Sequence, residues 1–475
     1  MNNIFLFFGL SDQVSNVINY VISGLLILLV LIGIQLMSKV KTAKHGNRLS
    51  GLAMLFAIIV TLINVEIFTI NNFWIIFLAI LIGLVIGLIW AHRVKMIQMP
   101  QLVAVLNGIG GAASAIVGGF ALLGIGAGTD YFSTVTSILA VIIGMITLTG
   151  SLVAGGKLHG VIKSKPVVLP FNKLITAILI ILMFAVIADG IVGIIEDKLI
   201  LLIITIIVSS LFGITFTIRV GGADMPITIS LLNSLSGVAG AIAGLAIGDV
   251  LLVSIGGIIG ASGLLLTQVM CKAMNKNLLD ILLGKTTVNR KKEIVETKEV
   301  IDNEPMEEMD QVAVLKTAKN VIIVPGYGMA IAQAQHLVKT LADKLIANGA
   351  NVKYAVHPVA GRMPGHMNVL LSEANVDYDD LYEMDDINPE FEKADVTIVI
   401  GANDVLNPAA RNAEGTPIYG MPILNVDKCK KIIIFNYDLK PGYAGVDNPI
   451  YRRKHGLGLN LGNAADTLAD ILTKL

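Results

Sequence analysis

The stretch VIIVPGYGMAIAQAQHLV, from Val321 to Val338, has residue types and spacing suited to holding a phosphate. A branched apolar run, Val321 to Val324, stops at Pro325. Gly326 and Gly328 follow as a Gly-x-Gly turn, and a helix-like run starts at Met329. Glycines let a backbone approach a pyrophosphate, and a helix N-terminus adds N–H donors and positive partial charge. A lone Gly-x-Gly is also the mark of a tight strand-to-helix turn, so the surrounding pattern must decide.

Three further apolar runs recur downstream, Val352–Val356, Val396–Ile400 and Lys431–Phe435, with helical stretches between them. That alternation predicts a parallel, doubly wound α/β sheet of the Rossmann type, whose function sits at the carboxyl ends of its strands. The loops there are rich in polar residues. They read HPVAGRMPGH from His357, GANDVLNPAA from Gly401, and NYDLKPGYAGVDNP from Asn436. The second run does not end in the Asp or Glu that grips a ribose 2′-hydroxyl; Arg362 follows soon after instead. The nucleotide is then either phosphorylated or bound in another orientation.

Upstream of this domain the chain is of a different kind. The whole sequence has 475 residues, 55% hydrophobic and 15% charged, with zero net charge. The apolar residues crowd into the first 270 positions or so, and the neutral balance gives no nucleic-acid footprint. Cys271 and Cys429 lie far apart, without metal-ligand spacing, so no metal site is expected. Nine segments are long enough to cross a bilayer: 15–37, 51–70, 73–91, 100–123, 132–154, 174–192, 199–218, 225–247 and 250–271. The first lacks a basic n-region and a cleavage site, and reads as a retained span. Lys and Arg fall in alternate loops, among them Lys39, Arg48, Arg93, Lys95, Lys157, Lys165, Arg219 and Lys272. The positive-inside rule puts the N-terminus outside and everything after 271 in the cytoplasm.

Two of these segments repeat each other: MPQLVAVLNGIGGAASAIVG from Met99 and MPITISLLNSLSGVAGAIAG from Met225. Asn107, Gly111 and Gly118 in one match Asn233, Gly237 and Gly244 in the other, along one helical face. Such faces serve as close-packing seams, or line a polar path with Asn107 and Asn233 facing it. Asp224, before Met225-Pro226, reads as an N-cap or as a switch at the cytoplasmic mouth. Glu66 and Asp189 fall at solvated outer boundaries, and His45, His92 and His159 in or beside loops. The domains expected are a transmembrane domain over 1–271, a charged linker over 272–311, and a nucleotide-binding domain over 312–475.

The motifs PGYGMAIAQAQ, HPVAGRMPGHMNVLL, IGANDVLNPAA and GYAGVDNP, with GGADMP and LLNSLSG upstream, resemble the β subunit of proton-translocating NAD(P) transhydrogenase, over essentially the whole chain. The resemblance implies a Si/Re-specific enzyme of a bacterial inner membrane. Gly326, Tyr327, Gly328, Met329, Ala330 and Ile331 would hold NADP(H), reversed relative to a usual Rossmann site. Gly361, Arg362, Met363 and Pro364 would hold the pyrophosphate. Gly442, Tyr443, Ala444 and Gly445 would fold over as a lid. Gly401, Ala402, Asn403 and Asp404 complete the site, with Asp404 linked to proton coupling; Asp404, Tyr327 and Arg362 are assigned to the chemistry. Asn107, Asn233 and Asp224 are assigned to the proton path. NAD(H) would sit on an α subunit, in a dimer of αβ units.

Three departures stand out. The family's Lys-Arg after the fourth run, which grips the 2′-phosphate, is Asn436-Tyr437 here, followed by Asp438. Lys440, Arg452 or Arg453 would have to compensate. A late Gly-Asp-Ala-Lys motif is Gly462-Asn463-Ala464-Ala465, and Asn107 stands where many members have His. These changes motivate a rival, a transhydrogenase-like subunit using NAD(H) or uncoupled from protons. A nucleotide-gated channel or a structural membrane protein is a further alternative, but no filter or ion-coordinating cluster is visible in the spans.

Overall fold

A computed structural model describes residues 12–37, 42–64, 73–94, 98–126, 128, 130–163, 166–167, 170–274, 276–282, 309–361, 365–414, 416, 418–442 and 444–475. Glu66, Arg362, Met363, Pro364, Tyr443 and linker positions 283–308 therefore lie outside the described residues, as do Lys39, Lys95 and Lys165. The chain divides into two compact units: Met1–Arg219 with Thr228–Leu265, and Val220–Ile227 with Leu266–Leu475.

Nine helices among the described residues are long and apolar enough to cross a membrane. They are α1 Asp12–Met37, α2 Ala43–Asn64, α3 Phe73–Arg93, α4 Met99–Leu122, α5 Tyr131–His159, α6 Asn172–Val192, α7 Lys198–Ile218, α8 Met225–Ile247 and α9 Val250–Ala273. A helix satisfies its own backbone polar groups, which lipid cannot do. The duplicated glycines behave alike in both copies. A Cβ on Gly111 of α4 would lie 2.7 Å from the Gly144 carbonyl of α5, and one on Gly118 would lie 2.8 Å from the Ser137 carbonyl. On α8, Gly237 and Gly244 would meet the Gly260 and Val253 amides of α9 at 2.6 and 2.8 Å. In each repeat the glycines thus let the next helix come into backbone contact, which is the packing role.

Several charges sit deeper than their loop positions suggest. Lys157, at the last turn of α5, is 1% exposed and donates to the Ile218 carbonyl at the end of α7. Arg219 is also buried and donates to Thr176 Oγ1 of α6 at 3.2 Å. Asp189 is buried too, and accepts the Ile195 N–H at 3.1 Å, closing the turn after α6. These side chains tie helix ends together because the unpaired carbonyls and N–H groups of a terminus need partners.

In the second unit, short helices α10 Leu278–Leu282 and α11 Gln311–Thr317 precede a six-stranded sheet. Its strands are β1 Asn320–Pro325, β2 Asn351–Val356, β3 Leu381–Glu383, β4 Val396–Ile400, β5 Ile432–Asn436 and β6 Leu457–Leu461. The order is β3-β2-β1-β4-β5-β6 and every pairing is parallel, the doubly wound arrangement expected. Central strands β1, β4 and β5 are Val- and Ile-rich and buried on both faces, as covered parallel sheets require. One face packs Ile322, Val324, Val399, Ile432 and Ile434 against Phe391, Leu424 and Tyr451. Edge strands β3 and β6, absent from the four runs read in the sequence, are only partly buried and carry Tyr382, Glu383, Gly458 and Asn460. Their weak apolar signal follows from that edge position. The intervening helices are α12 Tyr327–Ile331, α13 Gln335–Ala347, α14 His366–Glu373, α15 Met384–Ile387, α16 Ala409–Asn412 and α17 Ala464–Lys474. The helical run from Met329 is therefore two pieces, broken where Gln333 takes a left-handed φ of 51°.

Candidate functional site

The strand order reverses between β1 and β4, so the loops leaving these two strands flank the switch-point crevice where doubly wound sheets bind nucleotides. Glycine makes this meeting possible. Gly326 N–H donates to the Ile400 carbonyl and Gly328 N–H to the Gly401 carbonyl, each at 2.8 Å. Gly401 has a φ of +67°, and a Cβ on Gly326 would lie 2.6 Å from the Ala402 Cα. The Gly-x-Gly turn thus brings two backbones together across the switch point. The Gly326 and Gly328 amides are thereby spent on the Ile400 and Gly401 carbonyls. Met329, Ala330 and Ala402 are buried, whereas Ile331 is exposed.

The loop after β4 is clasped by the segment after β5. Asp404 Oδ2 accepts the Ala444 N–H at 2.9 Å, and a Cβ on Gly442 would lie 2.5 Å from Asp404 Oδ1. Asn403 donates to the Lys440 carbonyl at 2.9 Å and accepts from Asn448 Nδ2 at 3.1 Å. Asn407, fully buried, donates to the Asp447 carbonyl at 3.1 Å. The expected lid residues Gly442, Ala444 and Gly445 therefore belong to a strap stitched over the Asp404 loop. Asn407 and Asn448 are the stitches that the sequence reading missed. The Asn448-Pro449 pair, a helix-start signal, was the clue to one of them: Asn448 Oδ1 also caps Ile450 N–H at 3.1 Å.

Asn436, last residue of β5, is 6% exposed. Its Nδ2 donates to the Ala402 carbonyl at 3.1 Å and to the Tyr451 hydroxyl at 2.8 Å. Tyr437 is 79% exposed, and Asp438 lies on the surface with its Oδ1 accepting the Lys440 N–H at 3.1 Å. Of the cations expected to compensate, Arg452 pairs with Asp447 at 2.9 Å. Arg453 donates to the Cys429 and Lys430 carbonyls, which precede β5, so it sits at the amino edge of the sheet. Burial, with the Asp404 and Asp438 carboxylates adding to it, pushes the Tyr451 phenol above its ordinary range, so it stays protonated and able to donate.

After β2, His357 is 2% exposed, with Nε2 2.9 Å from the Pro422 carbonyl and Nδ1 accepting the Val359 N–H at 3.3 Å. A carbonyl only accepts, so Nε2 carries the proton and the ring is neutral. Desolvation lowers its pKa to about 4. Gly361 has a φ of +104°, and a Cβ there would meet the His366 ring carbon Cγ at 2.8 Å. Tyr327 stands against the same ring, with centroids 6.4 Å apart.

In the membrane helices, Asn107 is buried with Nδ2 3.5 Å from the Ile229 carbonyl, whereas Asn233 is half-buried. Asp224 lies in a 3-10 turn, Gly222–Asp224, and pairs with Lys276, a partner the sequence reading did not give it. Among the described residues no His, Cys, Asp or Glu cluster could hold a metal ion.

Nine helices long and apolar enough to cross a membrane, counted among the described residues, and a sheet with a glycine crossing at its switch point define a membrane protein carrying a Rossmann-type fold. A family model described as "NAD(P) transhydrogenase beta subunit" matches residues 18–474. The NAD(P) transhydrogenase subunit beta of Rhodospirillum rubrum is 40% identical over 450 residues, covering 93% of this chain and 95% of that protein. A protein of the same name from a designated strain of that species matches to the same extent. The chain belongs to the NAD(P) transhydrogenase β-subunit family.

The residues fit a nicotinamide dinucleotide. The switch point lies at the carboxyl ends of β1 and β4, and beside it the buried Asn436 Oδ1 has no hydrogen-bond partner among the described residues.

Proposed function

We propose that this chain is the β half of a proton-translocating transhydrogenase. The sheet domain, 312–475, holds a nicotinamide dinucleotide across the switch point, against Gly326, Gly401 and the Asp404 loop. Hydride passes between that carrier and a second one held by an α subunit. The family resemblance assigns NADP(H) to this chain and NAD(H) to the partner, in a dimer of αβ units. The membrane domain, 1–271, sits in a bacterial inner membrane with the N-terminus outside and the sheet domain in the cytoplasm. The linker, 272–311, joins the two.

A bound nicotinamide ring supplies the hydride chemistry. The protein's share is to place the carrier, exclude water and link occupancy to proton movement. The observation that carries this reading is the clasp on Asp404. Its Oδ2 accepts the Ala444 N–H at 2.9 Å, so a proton there would set a donor against a donor and loosen the strap. Nucleotide release and proton uptake are linked through that contact. Asp224, Asn107 and Asn233 serve the membrane end of the coupling. Tyr327 and Arg362 serve the crevice.

The test uses the full chain with its α subunit in liposomes, with a pH-sensitive dye inside. Hydride exchange should acidify or alkalise the lumen until an uncoupler is added. Exchange without any proton movement would remove the pump from this reading.

A further inference from the structure

We infer that the turn after β5 is built for a ribose with a free 2′-hydroxyl, so that this chain selects NAD(H) over NADP(H). The inference rests on the dinucleotide reading of the crevice, and not on which subunit the family gives each carrier.

Asn436 fixes the chemistry of the turn. The Ala402 carbonyl can only accept, so the amide nitrogen must face it and the orientation of the side chain is settled. That leaves Oδ1 buried, with no hydrogen-bond partner among the described residues. A buried acceptor needs a donor, and a ribose hydroxyl is one, whereas an ionised phosphate ester is not. Two residues on, the Asp438 carboxylate adds a second acceptor and a negative charge at the carboxyl edge.

Among the described residues Lys440 is the cation that faces Asp438, in an exposed and therefore weak pair, and the others near this turn are engaged elsewhere. Lys440 Nζ is 3.6 Å from Asp438, and Arg452 is paired with Asp447. Arg453 is at the far edge of the sheet, on the carbonyls before β5. Lys454 and His455 precede β6 and, in a parallel sheet, share that edge.

The strand order gives the same answer. In the sequence β3-β2-β1-β4-β5-β6, β5 stands to β4 as β2 stands to β1. Doubly wound sheets place their ribose-binding acid after such a second strand. After β2 the chain has His357, bound to the Pro422 carbonyl; after β5 it has Asp438. The half with the acid is the half that takes an unsubstituted diol.

Hydride exchange does net chemistry only between two different carriers. A β subunit selective for NAD(H) therefore needs a partner selective for NADP(H), the reverse of the family's division.

The experiment is calorimetric titration of the full-length chain in detergent, without the α subunit, using NADH, NAD+, NADPH and NADP+. The reduced and oxidised unphosphorylated forms should each bind at least about tenfold more tightly than their phosphorylated counterparts. Equal or tighter binding of NADPH overturns the inference and leaves the dinucleotide reading intact. Binding of none of the four overturns both. Asp438→Lys, at an exposed position, should shift the NADPH-to-NADH ratio toward NADPH by about tenfold. An unchanged ratio overturns the role of this turn in selectivity.

Discussion

At the scale of single residues, the site works by fixing which groups donate and which accept. His357 is the clearest case, because both of its ring nitrogens are matched only in the neutral form. Its pKa falls from 6.5 in the unfolded chain to about 4 in the fold, through desolvation. The unfolded chain therefore binds more protons between those values, so stability falls as pH drops from 6.5 towards 4 and is level below that. The full effect is about 3–4 kcal/mol, taking about 1.4 kcal/mol per pH unit. Hydrogen exchange of the β1 and β4 amides at pH 7 and pH 4.5 should show that loss, and His357→Asn should flatten it. Gly442 gives a second test. A methyl group 2.5 Å from Asp404 Oδ1 would push that carboxylate aside and off the Ala444 N–H, so Gly442→Ala should loosen the strap and weaken dinucleotide binding by about tenfold, read by titration calorimetry.

At the scale of elements, what matters is the meeting of the β1 turn with the β4 turn. Gly401 has a positive φ and lies in backbone contact with Gly328, so a side chain there is excluded twice over. Gly401→Ala should cost about 2 kcal/mol or more and open both loops together. A denaturant titration followed by far-ultraviolet circular dichroism would detect it as an earlier loss of sheet. The strap is fastened more lightly. Asn448→Ala removes the contacts to Asn403 and the cap on Ile450, and should cost about 1–2 kcal/mol. Proteolysis at 439–447, accelerated in that variant and slowed by bound dinucleotide, is the measurement that checks it.

At the scale of the whole molecule, the proposed function asks one chain to couple two chemistries, carrier binding and proton movement. Asp224 and Lys276 form a sheltered ion pair, 10% and 21% exposed in their side chains. Removing one partner of such a pair strands the other charge, at a cost of about 3–5 kcal/mol when buried. Asp224→Asn and Lys276→Met should each reduce dinucleotide-driven proton movement in liposomes more than they reduce dinucleotide affinity. The exchanged pair, Asp224→Lys with Lys276→Asp, should recover part of the movement. Recovery to no degree would mean that Asp224 acts alone.

Composition and periodicity carried the large features, because burial in lipid or in a covered sheet demands long apolar runs. The nine spans, the four central strands, the duplicated Asn-Gly-Gly faces and the glycine turn were all legible for that reason. The motifs of the strand-end loops carried the family. The sequence could not say which polar groups meet, since contacts between residues far apart in the chain are set by the turns between them. Only the tertiary structure put Asp404 under Ala444, gave Asp224 to Lys276, moved Arg453 to the amino edge, and buried Asn436 with its oxygen unmatched among the described residues. The physical reason is one of range: local pattern records which surfaces must leave water. Donor-to-acceptor pairing is decided when distant loops close on one another.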